Sequence, residues 1–145
     1  MSVYRRILIP VENSPYDRAV LEHVRELARM CGSELVLIHV ADGWVARTAD
    51  QLDLRESDEM RQDREYLAGL TRELEAEGFH AESVLAGGDP GKEIVAAAER
   101  ERCDLIAMST HGHGIIKDVL YGTVVWTVRH RTEIPVLLVR GKAEG

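Results

Sequence analysis

The chain has 145 residues, of which 45% are hydrophobic and 30% are charged, and its formal net charge is −7. This length fits one globular domain over residues 1–145, large enough to bury about two-thirds of its unfolded surface. The acidic balance argues against nucleic acid or an anionic membrane as a partner, and no run approaches the ~20 apolar residues of a membrane span. The N-terminus has no signal-peptide pattern, and Cys31 and Cys103 lie far apart without metal-ligand spacing. We therefore expect a soluble, cytoplasmic protein with no metal site.

A strand, a helix and a second strand open the chain. Residues 7–11 form a short apolar run that predicts a buried strand, with Pro10 where the strand leaves the sheet. Ser14 is the expected N-cap of a helix that begins at Pro15 and ends at Gly32. Residues 34–40 are again almost continuously apolar, which is typical of a strand covered by helices on both faces.

The middle of the chain is more polar. Residues 41–57 show no periodicity and are interpreted as a loop whose path cannot be predicted. Residues 58–77 predict a long helix with a narrow apolar stripe, a solvated charged face and a stop at Gly78. Residues 79–86 have weaker apolar character, which predicts a third strand at an edge of the sheet.

A glycine-rich segment follows the third strand and resembles a phosphate-binding P-loop at Gly91-Lys92. The match fails because Ala86 occupies a position that requires glycine, and Glu93 occupies one that requires serine or threonine. Asp89 as N-cap and Pro90 at the first helical position explain the segment structurally. We predict a helix over residues 90–102.

The stretch from Cys103 to Val139 combines a strand, a glycine loop and a final strand. Residues 104–109 are apolar enough for a buried strand, and glycines at 112 and 114 let the backbone approach a ligand. Thr123, after Gly122, is predicted to cap a helix whose free amides could receive an anion. Residues 136–139 form the last apolar run. Strands alternating with helices predict an α/β fold, with a parallel five-stranded sheet and helices on both faces.

One spacing in this stretch points to a known family. Ser109, two residues, Gly112, nine residues and then Gly122-Thr123 resemble the nucleotide-loop signature of the universal stress protein family, with serine in place of its first glycine. The likeness covers nearly the whole chain. It implies an open sheet of strand order 3-2-1-4-5.

In open α/β sheets, ligands bind beyond the carboxyl ends of the strands where the strand order reverses. That rule brings Pro10-Val11-Glu12 opposite Met108-Ser109 and Gly112. The resemblance implies ATP or a related adenine nucleotide, with or without magnesium. Glu12 stands where nucleotide-binding members usually carry aspartate. The predicted nucleotide-binding residues are Pro10, Val11, Glu12, Val40, Met108, Ser109, Gly112, Gly122, Thr123 and Val124.

The resemblance assigns separate parts of the ligand to these positions. Pro10, Val11 and Val40 would wall the adenine and sugar, and Ser109 and Gly112 would line the phosphate loop. The residues implied to hold phosphate are Gly122, Thr123 and Val124.

The sequence offers little for catalysis. No nucleophile, base and orienting group occur together, and two histidines, His111 and His113, fall short of the three protein ligands expected for zinc. A receiver domain would need an aspartate at the end of the third strand, where Leu85-Ala86 stands. An enzyme of the wider adenine-nucleotide-binding α/β group would need an acid/base pair near the loop. We therefore predict a nucleotide-binding stress-response or regulatory protein that hydrolyses ATP slowly at most.

The alternative function is a nucleotide-independent interaction module that acts through protein partners. Both functions share a predicted homodimer, because the last strand would lie at a sheet edge. The resemblance implies antiparallel pairing with the same strand of a second copy. The predicted interface residues are Val136, Leu137, Leu138 and Val139.

Overall fold

The apolar runs of the sequence form the strands of a single sheet. The computed structural model describes residues 3–42, 58–111 and 116–141, and within these ranges five strands alternate with four helices. The elements are β1 (Arg6–Pro10), α1 (Asp17–Cys31), β2 (Glu34–Asp42), α2 (Asp58–Ala76), β3 (Ala81–Gly88), α3 (Pro90–Arg100), β4 (Leu105–His111), α4 (Ile116–Arg131) and β5 (Val136–Gly141).

All paired strands are parallel, and their order is β3-β2-β1-β4-β5. The predicted fold class and strand order are therefore confirmed. Strand β1 lies at the centre, between β2 and β4, while β3 and β5 form the edges. The order reverses at β1, so the carboxyl ends of β1 and β4 border the crevice at which this class of sheet binds ligands.

Helices cover both faces of the sheet. Alternate residues of β1 point to opposite sides, so that Ile7 and Ile9 join a core with α1 and α2, whereas Leu8 joins a second core with α3 and α4. All three side chains are fully buried. A strand buried on both faces needs apolar residues at every position, which is why these runs lack polar alternation.

Most element boundaries fall close to the predicted ones. Gly32 ends α1 and Gly78 follows α2, and both have positive φ, of 68° and 99° respectively. Glycine adopts such backbone conformations without steric cost. The third strand lies two residues later than predicted, and α3 stops at Arg100. Helix α1 begins at Asp17 rather than at Pro15, because the Asp17 amide first closes a turn onto the Ser14 carbonyl at 3.1 Å.

The predicted start of the last helix is wrong. Helix α4 begins at Ile116, so Gly122 and Thr123 lie within it, about 9 Å along the axis from its first residue. No proline interrupts residues 116–121, and one glycine costs a helix only about 1 kcal/mol. Inside a helix each backbone amide donates to the carbonyl four residues earlier. These amides are therefore not the free anion-binding donors that the sequence predicted.

The amino ends of the strands are joined by ion pairs. The Arg6 guanidinium donates to Glu34 at 3.0 Å, to Glu82 at 2.6 Å and to Glu101 at 3.0 Å. These contacts tie β1 to β2, to the edge strand β3 and to the end of α3. Each helix in the described part of the chain is too short or too polar to cross a membrane.

Candidate functional site

Two strand ends that are distant in sequence border one crevice. Ile7 pairs with Leu105 and Leu8 with Ile106. Continuing this register by two residues sets Pro10 level with Met108 and places the following residue, Val11, level with Ser109. The predicted segments at the ends of β1 and β4 therefore follow neighbouring strands at the same edge of the sheet.

Ser109 is buried and contributes a hydrogen bond within the fold. Its side chain is buried, and its hydroxyl donates to the Tyr16 carbonyl at 3.2 Å. A Cβ added to Gly141 would lie 2.5 Å from the Ser109 Oγ, so the end of β5 packs directly against this hydroxyl. The serine that replaces the first glycine of the loop pattern therefore links β4 to α1 and β5.

The remaining predicted residues lie on other elements. Val40, near the end of β2, and Val124, in α4, are partly buried against the same apolar core. Gly122 and Thr123 are exposed on α4. Gly112 lies outside the described residues.

The loop between β1 and α1 is held by a buried carboxylate that the sequence did not identify. Asp17 is 2% exposed. Its Oδ1 accepts the Glu12 amide at 3.0 Å, and its Oδ2 accepts the amides of Asn13 at 2.9 Å and Ser14 at 3.2 Å. The Tyr66 hydroxyl of α2 donates to the same Oδ2 at 2.6 Å. One side chain thus fixes three consecutive backbone amides and connects them to α2.

Burial and hydrogen bonding shift the pKa of the Asp17 carboxylate in opposite directions. Burial raises the pKa of Asp17, while the hydrogen bonds from Tyr66 and from the backbone amides of Glu12 and Ser14 oppose the rise. Burial and the neighbouring carboxylate raise the pKa of Tyr66 far above its ordinary value, so its hydroxyl remains a neutral donor.

A second buried carboxylate braces the loop from α2. Asp63 is 7% exposed, so the interpretation of this helix's charged face as solvated is wrong at this position. Its Oδ1 accepts from the Asn13 side-chain amide at 3.3 Å, and its Oδ2 lies 3.0 Å from His39 Nε2. The other ring nitrogen of His39 lies 2.9 Å from the Val11 carbonyl oxygen. Asn13 adopts the left-handed region with φ of 61°.

Glu12 lies in the segment that is held by Asp17 on one side and by Asp63 with His39 on the other. Its carboxylate accepts a hydrogen bond from the Ser14 hydroxyl at 2.7 Å, and the residue is half-buried. Its backbone is fixed through Asp17, and its neighbours Val11 and Asn13 are held by His39 and Asp63. The loop therefore presents an oriented carboxylate at the carboxyl end of β1.

Two candidate reactive side chains among the described residues, Cys103 and His39, are buried or hydrogen-bonded within the fold. Among them, no cluster of three or more histidine, cysteine, aspartate or glutamate side chains could hold a metal ion. Burial raises the pKa of Cys103 to about 11, so its thiolate is scarce at neutral pH. Both ring nitrogens of His39 face oxygen atoms of the protein.

The strand order and the crevice define a doubly wound α/β protein whose ligand site would lie at the reversal between β1 and β4. The model of the universal stress protein family matches residues 3–140. The chain belongs to the universal stress protein family.

Several known proteins are similar along their whole length. Universal stress protein MJ0577 of Methanocaldococcus jannaschii is 29% identical over 160 aligned residues, which cover 98% of this chain and 99% of the relative. Its solved structure matches with a TM-score of 0.76 over 96% of this chain and 97% of that one.

Two more distant structures share the fold and contain nucleotides. The universal stress protein from Archaeoglobus fulgidus in complex with dAMP has a TM-score of 0.68 at 22% identity, covering 94% of this chain and 98% of that one. A universal stress protein in complex with cAMP has a TM-score of 0.70 at 20% identity, covering 97% and 100%.

Proposed function

We propose that this protein binds an adenine nucleotide, ATP or a close relative, in the crevice between the ends of β1 and β4. Nucleotide occupancy would then control a stress-response or regulatory role, with slow hydrolysis at most. The cytoplasmic location predicted from the sequence stays a prediction.

The braced β1–α1 loop is the observation that carries this proposal. A ligand site gains affinity when its walls are ordered before binding, because less conformational entropy is lost. Here Asp17 fixes three successive amides, and Glu12 is held at the strand end without taking part in the core. The family resemblance implies that Pro10, Val11 and Val40 would form the apolar wall for a nucleobase, and the Glu12 carboxylate can accept hydrogen bonds from ribose hydroxyls or a base amino group.

Two relatives of the same fold support the ligand class, since one was solved with dAMP and another with cAMP. Phosphate contact in this chain is assigned to the Thr123 hydroxyl, which is on an exposed residue. The amides after Gly122 are excluded from this role because they lie inside α4.

A nucleotide-independent interaction module is the second candidate, and two observations favour it. Helix α4 runs through Gly122 and Thr123, and the Ser109 hydroxyl is already bonded to Tyr16. Two elements of the phosphate-binding pattern are therefore engaged in the fold. If they remain engaged, affinity for the phosphates is lost and the protein would act through partners alone.

Calorimetric titration with ATP tests the first candidate. We expect wild type to bind, and Thr123→Ala to weaken affinity by about tenfold or more, since a hydrogen bond to a charged group contributes ~1.5–3 kcal/mol. Thr71→Ala is the matched control, because its hydroxyl donates within α2 to the Leu67 carbonyl at 2.8 Å. Its affinity for ATP should equal that of wild type.

The purified protein should also release adenine nucleotide on denaturation, identified by chromatography. If wild type neither carries nor binds adenine nucleotide at about millimolar concentration with magnesium present, the second candidate replaces the first. Equal affinities of wild type and Thr123→Ala would instead leave nucleotide binding in place and remove Thr123 from the site.

We further propose that the protein is a homodimer through β5. This strand is at the sheet edge, and Leu138 is 42% exposed while Val136, Leu137 and Val139 are partly buried. The Ile106 amide donates to the Pro135 carbonyl at 3.0 Å. The alternation of a parallel ladder then directs the Leu138 amide away from β4, toward a second copy.

Light scattering on Leu138→Pro tests this interface. Proline removes the outward amide without breaking the ladder to β4, so we expect a monomer where wild type is a dimer. Leu138→Thr retains the amide and should remain dimeric at sufficient concentration. A monomeric wild type at about micromolar concentration would contradict the proposed dimer.

A further inference from the structure

His39 is bonded through both of its ring nitrogens. Nδ1 lies 2.9 Å from the carbonyl oxygen of Val11, and Nε2 lies 3.0 Å from Oδ2 of Asp63. The side chains of His39 and Asp63 are 14% and 9% exposed, so water cannot readily replace either contact. The ring connects β2, the end of β1 and α2.

The two contacts of His39 determine how many protons the His39–Asp63 pair must carry. A carbonyl oxygen only accepts hydrogen bonds, so Nδ1 must carry a hydrogen, and an ionised carboxylate also only accepts, so Nε2 must carry one too. The alternative is a hydrogen on the Asp63 carboxyl that is donated to Nε2. In either case the pair holds one proton more than a neutral histidine beside an ionised aspartate. Loss of that proton would set two acceptors against each other at about 3 Å.

The pair supports the residues on both sides of Glu12. His39 holds the carbonyl of Val11, which is 5% exposed, and Asp63 accepts the side-chain amide of Asn13 at 3.3 Å. Asn13 has left-handed backbone with φ of 61°, a conformation that asparagine adopts more readily than most residues, and Asp63 fixes its side chain.

We propose that His39 and Asp63 form a proton-dependent latch that positions residues 11–13, so that nucleotide affinity falls when the pair loses its proton. This inference rests on the proposed nucleotide function. His39 and Asp63 are positioning residues, since they act through the loop and not on the ligand. By linkage, nucleotide binding would in turn favour the protonated pair.

Other titratable groups surround the latch. Glu12 lies in the loop, Asp17 in α1 and Tyr66 in α2, while β3 places Leu85 beside His39. The pKa of Tyr66 is raised by burial, so this residue stays neutral through mildly alkaline solution. Burial also raises the pKa of Asp17, so the Asp63→Asn variant, which leaves Asp17 unchanged, separates proton loss at the proposed pair from proton loss at Asp17.

Nuclear magnetic resonance of the 15N-labelled full chain tests the latch without nucleotide. The ring nitrogens of His39 and the backbone amides of Glu12 and Asn13 are followed from about pH 6 to about pH 9, the range in which histidine charge changes matter. We expect both amide signals to shift together with the ring-nitrogen signals of His39. ATP affinity should fall by about tenfold over the same range.

Asp63→Asn is the matched variant. Its side-chain amide can donate to Nε2 of a neutral His39 while its oxygen accepts from Asn13, so every hydrogen bond is kept without the extra proton. The amide signals of Glu12 and Asn13, and the affinity for ATP, should then be independent of pH. His39→Phe removes both contacts and should bind ATP weakly at every pH.

The outcomes separate the latch from the proposed function. Amide signals that ignore the titration of His39 overturn the latch. A pH dependence of ATP affinity that persists in Asp63→Asn also overturns it, because another titratable group would then be the source. If no form binds ATP but the amide signals follow the pair in wild type and not in Asp63→Asn, the proposed function is wrong and the latch on the loop is confirmed.

Discussion

Asp17→Ala is expected to lower the free energy of unfolding by about 3 kcal/mol or more. The substitution leaves the amides of Glu12, Asn13 and Ser14 and the hydroxyl of Tyr66 without their acceptor. Each donor bonded to a charged group contributes ~1.5–3 kcal/mol, although water will recover part of that for the exposed members. Urea denaturation measures the loss, and Glu22→Ala, an exposed change on the same helix, should stay within about 0.5 kcal/mol of wild type.

The loss of unfolding free energy in Asp17→Ala should depend on pH in a defined direction. Burial raises the folded-state pKa of Asp17 above its ordinary value. The stabilisation that such a group gives is fully present below the ordinary value and declines as pH rises through the raised one. The deficit should therefore be larger in mildly acid solution than at neutral pH. A deficit that grows toward neutral pH would mean that the hydrogen bonds outweigh burial and lower the pKa.

Tyr66→Phe tests the hydrogen bond between Tyr66 and Asp17 from its other partner. It removes only the hydroxyl that donates to Asp17 at 2.6 Å, so it should cost about 1.5 to 3 kcal/mol in the wild-type background. In the Asp17→Ala background the same change should cost little, because its partner is already absent. Additive losses would show that the two side chains do not act as a unit.

The fold could be predicted from the sequence because its signals are local. Residues 34–40 are apolar at nearly every position, and the structure covers both faces of β2. Asp89 accepts the Lys92 amide at 3.0 Å as a helix cap, which is what its position before Pro90 indicated. Strand order came from the family resemblance, since neither periodicity nor capping specifies which strands are neighbours.

The braces of the candidate site could not be predicted in this way. Asp17 occupies the first turn of a helix, where acidic residues are common for electrostatic reasons, and nothing nearby indicates that it is buried. Its burial depends on Tyr66, 49 residues later in the chain. Asp63 is one of many charges on α2 and is distinguished only by packing beside His39. The contact of Asp17 with Tyr66 and the contacts of Asp63 are long-range, whereas Asp17 accepts its three amides from residues only three to five positions away.

The start of α4 was mispredicted for a different reason. Gly122-Thr123 has the composition of a helix start, and local rules favoured it. The helix continues through it because no proline interrupts residues 116–121 and a single glycine is tolerated. The position of α4 depends instead on how it packs against α3.

Gly91→Ala is expected to lower the free energy of unfolding by about 1–3 kcal/mol, the usual cost of an overpacked core. Gly91 is buried in the first turn of α3, where an added Cβ would lie 2.6 Å from both Cβ and Cγ2 of Thr127 in α4. The Thr127 Cβ is fixed to the helix backbone, so relief requires α3 and α4 to move apart. This cost outweighs the gain of about 1 kcal/mol that alanine brings to a helix.

Gly69→Ala is the matched control and should have the opposite sign. Its added Cβ would find only the Arg72 guanidinium, at 4.0 Å, so the higher helix propensity of alanine should stabilise α2 by about 0.5–1 kcal/mol. Adding Thr127→Gly to Gly91→Ala removes the colliding Cβ and should recover most of the loss, less the cost of a new glycine in α4. If the double variant is no more stable than Gly91→Ala alone, the contact between α3 and α4 is not what requires glycine at this position.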